Sequence, residues 1–258
     1  MSDNNKIGFL DSGIGGVTVL TKAIALLPNE DYFFFSDSAN NPYGDKSDAE
    51  IIHRCDELFD MMINAENCKA IVIACNTASA KAAAFLREKY NNIPIIAIEP
   101  AYKMVHDFSP NDFTLVLATK GTIESEKFHK LYAKYNNDNT VLLPCVGMAD
   151  LIEQDKKEEL KDYLEELLRP YKYKTGNVVL GCTHYPLVKV EIAEVLGNVN
   201  FYDGAEGVAR QLKNVLTSNN LLSDKKEKGT VEFVDSSVSE EIQISKKKRF
   251  FNALSASI

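Results

Sequence analysis

No Cys-x-x-Cys pair occurs in this sequence, no His-x-x-x-His or His-Glu-x-x-His run, and no apolar stretch near the ~18 to 20 residues of a membrane span. The first two absences point away from a structural metal and from a dithiol redox centre, since both need their ligands or thiols on one turn or helix face. The third argues against a membrane protein. Cysteines fall at 55, 68, 75, 145 and 182, an odd number at scattered spacings, so no disulfide framework is expected. Met1 to Lys6 lacks the basic patch and apolar run of a secretory signal, which sets the cytoplasm as the expected compartment. A basic surplus is missing too. With 29 Lys and Arg against 37 Asp and Glu, the net charge of −8 gives no general attraction to nucleic acid. The one basic cluster, Lys246 to Arg249, reads as the solvated face of a last helix.

What is present is an α/β pattern. At 258 residues the chain is long enough for one large domain or two of roughly 100 to 150 residues. Short runs rich in Val, Ile and Phe alternate with longer segments of helical period, the signature of parallel βα units. The predicted strands are Lys6–Leu10, Tyr32–Ser36, Ala70–Ala74, Pro94–Ile98, Phe113–Ala118, Thr140–Pro144, Asn177–Gly181, Val199–Tyr202 and Thr230–Val234. Ser47-Asp-Ala-Glu50 reads as a capping box opening a helix. Asp150–Arg169 reads as one charged amphipathic helix stopped by Pro170, and Ser218–Gly229 as a polar loop. The order suggests a first α/β domain of residues 1–97 completed by 206–258, and a second of residues 98–205.

An internal echo supports two matched units. Ala70-Ile-Val-Ile-Ala-Cys75-Asn-Thr77 resembles Asn177-Val-Val-Leu-Gly-Cys182-Thr-His184. Each runs an apolar strand into a small residue, a cysteine, and polar residues that open a helix. The thiols therefore sit at the carboxyl ends of strands, where open parallel sheets bind ligands.

A cysteine just before a helix lies near free N–H groups and the positive end of the helix dipole, which favour its thiolate. Buried cysteines elsewhere behave as small hydrophobes, and Cys55, Cys68 and Cys145 read that way. Cys75 and Cys182 differ in their polar neighbours Asn76, Thr77, Thr183 and His184. A cysteine phosphatase loop needs Arg six residues after the thiol, where Lys81 and Val188 stand here. A Cys–His hydrolase would use His184, which follows only one of the two thiols. Two thiols on separate units suit acid and base on opposite faces of one carbon, which inverts a stereocentre.

Asp11-Ser-Gly-Ile-Gly-Gly16 follows the first strand and opens a helix. A dinucleotide fingerprint fails there, because the third glycine position holds Thr18 and the acid precedes the glycines. The glycines read as a tight turn needing glycine dihedrals. Asp11 offers a carboxylate for a substrate ammonium or a thiol, and the N–H groups of the turn offer a seat for a substrate carboxylate. Asn41-Pro-Tyr-Gly44 is a second turn at a strand end.

Together, Asp11-Ser-Gly-Ile-Gly-Gly16, Pro42-Tyr-Gly44, Ala74-Cys-Asn-Thr-Ala-Ser79 and Gly181-Cys-Thr-His-Tyr-Pro186 resemble the signature segments of bacterial glutamate racemases, within the cofactor-independent aspartate/glutamate racemase family. The likeness runs from about residue 6 to 210. It implies two α/β domains with mainly parallel sheets facing each other across a central active site, no cofactor, no metal, D-glutamate supply for peptidoglycan, and a homodimer. It also implies catalytic roles for Cys75 and Cys182, supported by Asp11 and His184, with Ser12, Pro42, Tyr43, Gly44, Asn76, Thr77 and Thr183 holding glutamate. Glu153 corresponds to a further acidic residue near the second thiol, although the preceding Cys145-Val-Gly-Met-Ala departs from the family's usual Phe-Val-Pro-Leu. Ala101 after Glu99-Pro100, where the family has glycine, and Gly207 are milder departures. Aspartate or a hydantoin as substrate, and a non-catalytic glutamate-binding protein, are the competing readings.

Overall fold

In a computed structural model that describes residues 4–135 and 138–257, all nine predicted strands form. Residues 1–3 of the leader reading lie outside the described residues. The strands are β1 (Ile7–Asp11), β2 (Tyr32–Ser36), β3 (Ala70–Ile73), β4 (Ile95–Ala97), β5 (Thr114–Ala118), β6 (Thr140–Pro144), β7 (Asn177–Gly181), β8 (Asn200–Tyr202) and β9 (Val231–Asp235). Every pairing is parallel, in two sheets ordered β4-β3-β1-β2-β9 and β6-β5-β7-β8.

The helices are α1 (Val17–Leu26), α2 (Asp48–Asn64), α3 (Asn76–Lys89), α4 (Tyr102–Phe108), α5 (Lys120–Ile123), α6 (Glu126–Tyr135), α7 (Met148–Glu153), α8 (Lys157–Leu168), α9 (Lys189–Leu196), α10 (Ala205–Ser218) and α11 (Glu240–Ser257). β1, β2, β5 and β7 are buried along their whole length, which is why they read as unbroken apolar runs rather than alternating ones. Phe9 and Phe34 face one core layer of the first sheet, with α1, α10 and α11, while Leu10, Phe33 and Phe35 face the other, with α2 and α3. In the second sheet Leu115, Leu117, Val178 and Leu180 pack toward α7, α8 and α9, and Val116 and Val179 toward α4 and α6.

The sequence echo extends to topology. Replacing β1, β2, β3, β4 by β5, β6, β7, β8 converts the order β4-β3-β1-β2 into β8-β7-β5-β6. In each sheet the first four strands reverse the chain's direction of travel once, between β1 and β3 and between β5 and β7. Such switch points leave a crevice at the carboxyl ends of the two strands. Asp11 and Cys75 stand at the first crevice, Thr119 and Cys182 at the second.

The capping box at Ser47 forms as read, with Glu50 accepting from the Ser47 backbone N–H at 2.9 Å. Two expectations are corrected. Asp150–Arg169 is not one helix: α7 stops at Glu153, Asp155 takes φ 58°, and α8 restarts at Lys157. The cause lies far away in sequence, since Arg249 donates to the carbonyls of Ile152 and Glu153 and caps α7 there. Nor is Lys246 to Arg249 a solvated face. Lys247 and Lys248 are exposed, but Lys246 and Arg249 turn inward to α7, because α11 lies along the first core and reaches across to the second sheet's half.

Phe250 anchors that helix, fully buried with its ring centroid 4.4 Å from that of Phe233 and 4.6 Å from that of Phe34. Phe250→Ala is expected to lower the unfolding free energy by about 3 to 5 kcal/mol, the cost of an aromatic cavity. Urea midpoints at fixed m-value check it, and a loss of only a few tenths of a kcal/mol, typical of a surface change, would separate α11 from the first core.

Candidate active site

Asp11 is the last residue of β1 and is fully buried. Its carboxylate accepts from the Gly16 backbone N–H at 3.0 Å and from the Thr183 hydroxyl at 3.2 Å, so the first half's acid is held by a residue of the second. Burial pushes it up to about 6, with the nearby Glu153 charge adding to this and His184, Gly16 and Thr183 opposing. The glycines after it are required by close approach rather than by dihedral. None of Gly13, Gly15 and Gly16 has positive φ. A Cβ on Gly15 would sit 2.6 Å from His184 Nδ1, and one on Gly13 would sit 2.5 Å from Glu153 Oε2. Two expected anion-seat N–H groups are already engaged, that of Ile14 by Glu153 and that of Gly16 by Asp11.

Cys75 caps α3, accepting from the Ala78 N–H at 3.5 Å, and its thiol donates to the Ser12 hydroxyl at 3.5 Å. The helix-start placement is as read, but the thiol is not lowered. Burial and the Asp11 charge push it up to about 12, outweighing the Ala78 N–H and Ser12. Asn76 and Thr77 follow, both buried. Neither amide atom of Asn76 has a hydrogen-bond partner among the described residues, an open pair of polar groups in a dry place.

Cys182 differs in its surroundings. After it the chain enters not an α-helix but a 3-10 turn, Tyr185–Val188, before α9. His184 Nδ1 lies 3.8 Å from its sulfur, and His184 Nε2 lies 2.7 Å from Glu153 Oε2. Burial opposes charge on the His184 ring, but Cys182 and Glu153 together raise it well above its ordinary value. Burial likewise opposes the Glu153 charge, and His184 and Lys246 overcome it to hold the carboxylate at about 2.

Tyr43 is buried, and its hydroxyl donates to Asp37 at 2.6 Å. Arg54 clamps the same carboxylate through two bonds, at 2.8 and 3.0 Å. Neighbouring Pro42 and Gly44 line one cavity with Ser12, Cys75, Asn76, Thr77, Cys182, Thr183 and His184. Thr77 and Thr119 oxygens, one from each half, meet at 2.9 Å, and Asn41 reaches Asp150 at 2.8 Å. The volume is about 40 Å³, space for a water or two and too little for an amino acid. Of the residues read from sequence, Glu153 and Asp11 stand behind the cavity and the remaining ten line it.

Several contributors escaped the sequence. Thr119 occupies in the second half the strand-end position that Asp11 and Ser12 occupy in the first, and the repeat carried that signal. Cys145, read as a core cysteine, also lines the cavity. Burial pushes its thiol up to about 12. Asp37, Arg54, Lys246 and Arg249 act from behind the lining and have no local motif. Among the described residues no group of three His, Cys, Asp or Glu side chains can hold a metal ion, and no helix is long and apolar enough to cross a membrane.

Residues 17–212 match the family model described as Asp/Glu/Hydantoin racemase. A glutamate racemase of Clostridium perfringens is 43% identical over 250 residues, covering 95% of this chain and 96% of that protein. Among solved structures, glutamate racemase from Francisella tularensis in complex with D-glutamate superposes with TM-score 0.81 at 32% identity, over 97% of this chain and 94% of that one. The Escherichia coli glutamate racemase, in complex with L-glutamate and the activator UDP-MurNAc-ala, gives TM-score 0.82 at 29% identity, over 95% of each chain.

Ionised Glu153 makes stability acid-sensitive. Its folded value of about 2 lies below the ordinary 4.5, so its contribution is present above 4.5 and lost as pH falls toward 2. Asp11 runs oppositely: its folded value of about 6 exceeds 3.8, so its contribution is present below 3.8 and lost as pH rises through 6. Glu153→Gln is expected to cost about 3 to 5 kcal/mol at neutral pH by leaving His184 and Lys246 unpaired. That deficit, read from urea midpoints, narrows as pH falls from 4.5 toward 2; a constant deficit would mean Glu153 is not held ionised.

Proposed function

This chain belongs to the Asp/Glu/Hydantoin racemase family, and we propose that it interconverts L- and D-glutamate by proton transfer between two thiols, supplying D-glutamate for peptidoglycan. The observation that carries this reading is the pair Cys75 and Cys182 on one cavity, each at the switch point of its own parallel sheet. In this reading residues 1–97 with 206–258 form one domain and 98–205 the other. The strands of the two sheets, drawn from 7–97 with 231–235 and from 114–202, support that division.

The α-proton of an amino acid is very weakly acidic. Its removal needs a base at bonding distance and somewhere for the C–H electron pair to go. From D-glutamate, the Cys75 thiolate takes the α-proton and becomes a thiol. The electron pair moves into the substrate carboxylate as an enediolate, and the Cys182 thiol delivers its proton to the opposite face and leaves as thiolate. Roles exchange in reverse. Asn76, with both amide atoms unpartnered, together with Thr77 and Thr183, supplies polar contacts for the substrate, and each oxyanion donor is worth ~10²- to 10³-fold in rate. Asp11, just behind the lining, acts on the substrate ammonium through its charge, and that positive charge in turn offsets the Asp11 charge that otherwise opposes the Cys75 thiolate. His184, held by Glu153, keeps a proton beside Cys182. Since the cavity is far smaller than glutamate, the lining parts to admit it and closes around it, excluding water from the thiols.

Incubation with either enantiomer in D₂O is expected to place deuterium at the α-carbon of the product, with aspartate turned over far more slowly. Cys75→Ser and Cys182→Ser should each abolish racemisation. Full activity in either variant would sink the two-thiol scheme, and binding of glutamate without α-hydrogen exchange would identify a binding protein instead.

A further inference from the structure

Glu153 receives a side chain of α11 as well as His184. Lys246 Nζ lies 2.7 Å from Glu153 Oε1, while Glu153 Oε2 takes His184 Nε2 at 2.7 Å and the Ile14 N–H at 3.1 Å. The two carboxylate oxygens are thus divided between two basic side chains, and both Lys246 and Glu153 are largely withdrawn from solvent, at 16% and 6% side-chain exposure. Lys246 shares a helix face with Arg249 and Phe250 (positions i, i+3, i+4), so the burial of Phe250 in the first core fixes where the ammonium points. Arg249 fixes the same spot from the other side, through the carbonyls of Ile152 and Glu153.

We propose that Lys246 is a positioning residue for the Cys182 half of the site, its ammonium orienting Glu153 so that Glu153 holds the His184 ring against the thiol. The inference rests on the racemase reading for its kinetic consequence but not for its geometry. Without Lys246, one oxygen of a buried carboxylate loses its partner, and the carboxylate is free to rotate away from His184. Other charges around Glu153 do not substitute. His184 faces it from the loop after β7, Asp11 from the end of β1 and Asp150 from its own helix; the two acids oppose its charge, and Arg249 is spent on main-chain carbonyls. Lys246 is therefore the cation from outside the thiol's own loop that balances this carboxylate. A strut that merely held α11 in place would affect folding and leave proton transfer unchanged.

The test compares the wild-type full chain with Lys246→Gln and Lys246→Arg. Two readouts are taken: kcat for glutamate against pH, and the ring-proton resonances of His184 by NMR, assigned with His184→Asn. In Lys246→Gln, kcat is expected to fall roughly ten- to hundredfold, the usual range for a partner one step behind a working side chain. The acid limb should move upward by about one pH unit, since loss of a neighbouring cation raises the pKa of Glu153, His184 and Asp11 together. The His184 resonances should shift, and Lys246→Arg should restore both readouts. Unmoved His184 resonances in Lys246→Gln overturn the inference whatever the wild type's activity. A fall in kcat with the acid limb in place does so too. A wild-type chain that neither racemises glutamate nor exchanges its α-hydrogen refutes the proposed function separately, leaving the NMR comparison to decide the role of Lys246.

Discussion

One buried carboxylate ties this molecule together. Glu153 accepts from His184 on the second sheet's loop, from the Ile14 N–H on the first sheet's loop and from Lys246 on the last helix. Three segments more than a hundred residues apart at their extremes meet on two oxygens. An ion this deep is costly unless every lone pair is engaged, so each of the three segments must stand in register for the fold to tolerate it. Gly13 and Gly15 follow from the same demand, since a side chain at either would occupy the space of Glu153 or His184. The glycine-rich turn is thus shaped by what packs on it, and its N–H groups serve the protein's own carboxylates.

The two thiols share a topological position and differ in everything around them. Cys75 caps a regular helix and faces an acid, Asp11, so its resting state is a neutral thiol. Cys182 faces a histidine whose proton is kept by Glu153. In the proposed two-thiol reaction the base and acid must alternate roles across one carbon, and the two enantiomers present their ammonium and side chain differently to a chiral cavity. Unequal surroundings are therefore compatible with balanced traffic: what matters is that each thiol meets the charge it needs when its own enantiomer is bound.

Much of this was legible in the sequence because it is local. Nine strands, the Ser47 capping box and both cysteine loops are written in contiguous residues, and the likeness of 70–77 to 177–184 anticipated the matched topology of the two sheets. What escaped is non-local. The charged pattern of 150–169 is continuous in period, and only Arg249, 96 residues beyond Glu153, explains why the helix breaks at Gln154. Lys246 and Arg249 look in sequence like their solvated neighbours Lys247 and Lys248; which side of α11 turns inward is set by the burial of Phe250. Helix dipole and exposed N–H groups argued for a lowered Cys75 thiol, and the structure gives the opposite because burial and Asp11 outweigh one N–H contact.

That reversal bears on how such a site works. With a thiol at about 12, the thiolate at neutral pH costs on the order of 7 kcal/mol, too much to stand without a counter-charge beside it. In the proposed reaction the amino acid brings its own ammonium near Asp11, offsetting the charge that opposes the thiolate and supplying a counter-ion in a buried place. Asp11, at about 6, is already mostly ionised at neutral pH, and the same ammonium completes its ionisation. In the proposed reaction binding and activation are then one event: the reactive thiolate forms with an ammonium-bearing substrate in place, and an enclosed cavity makes that dependence steep.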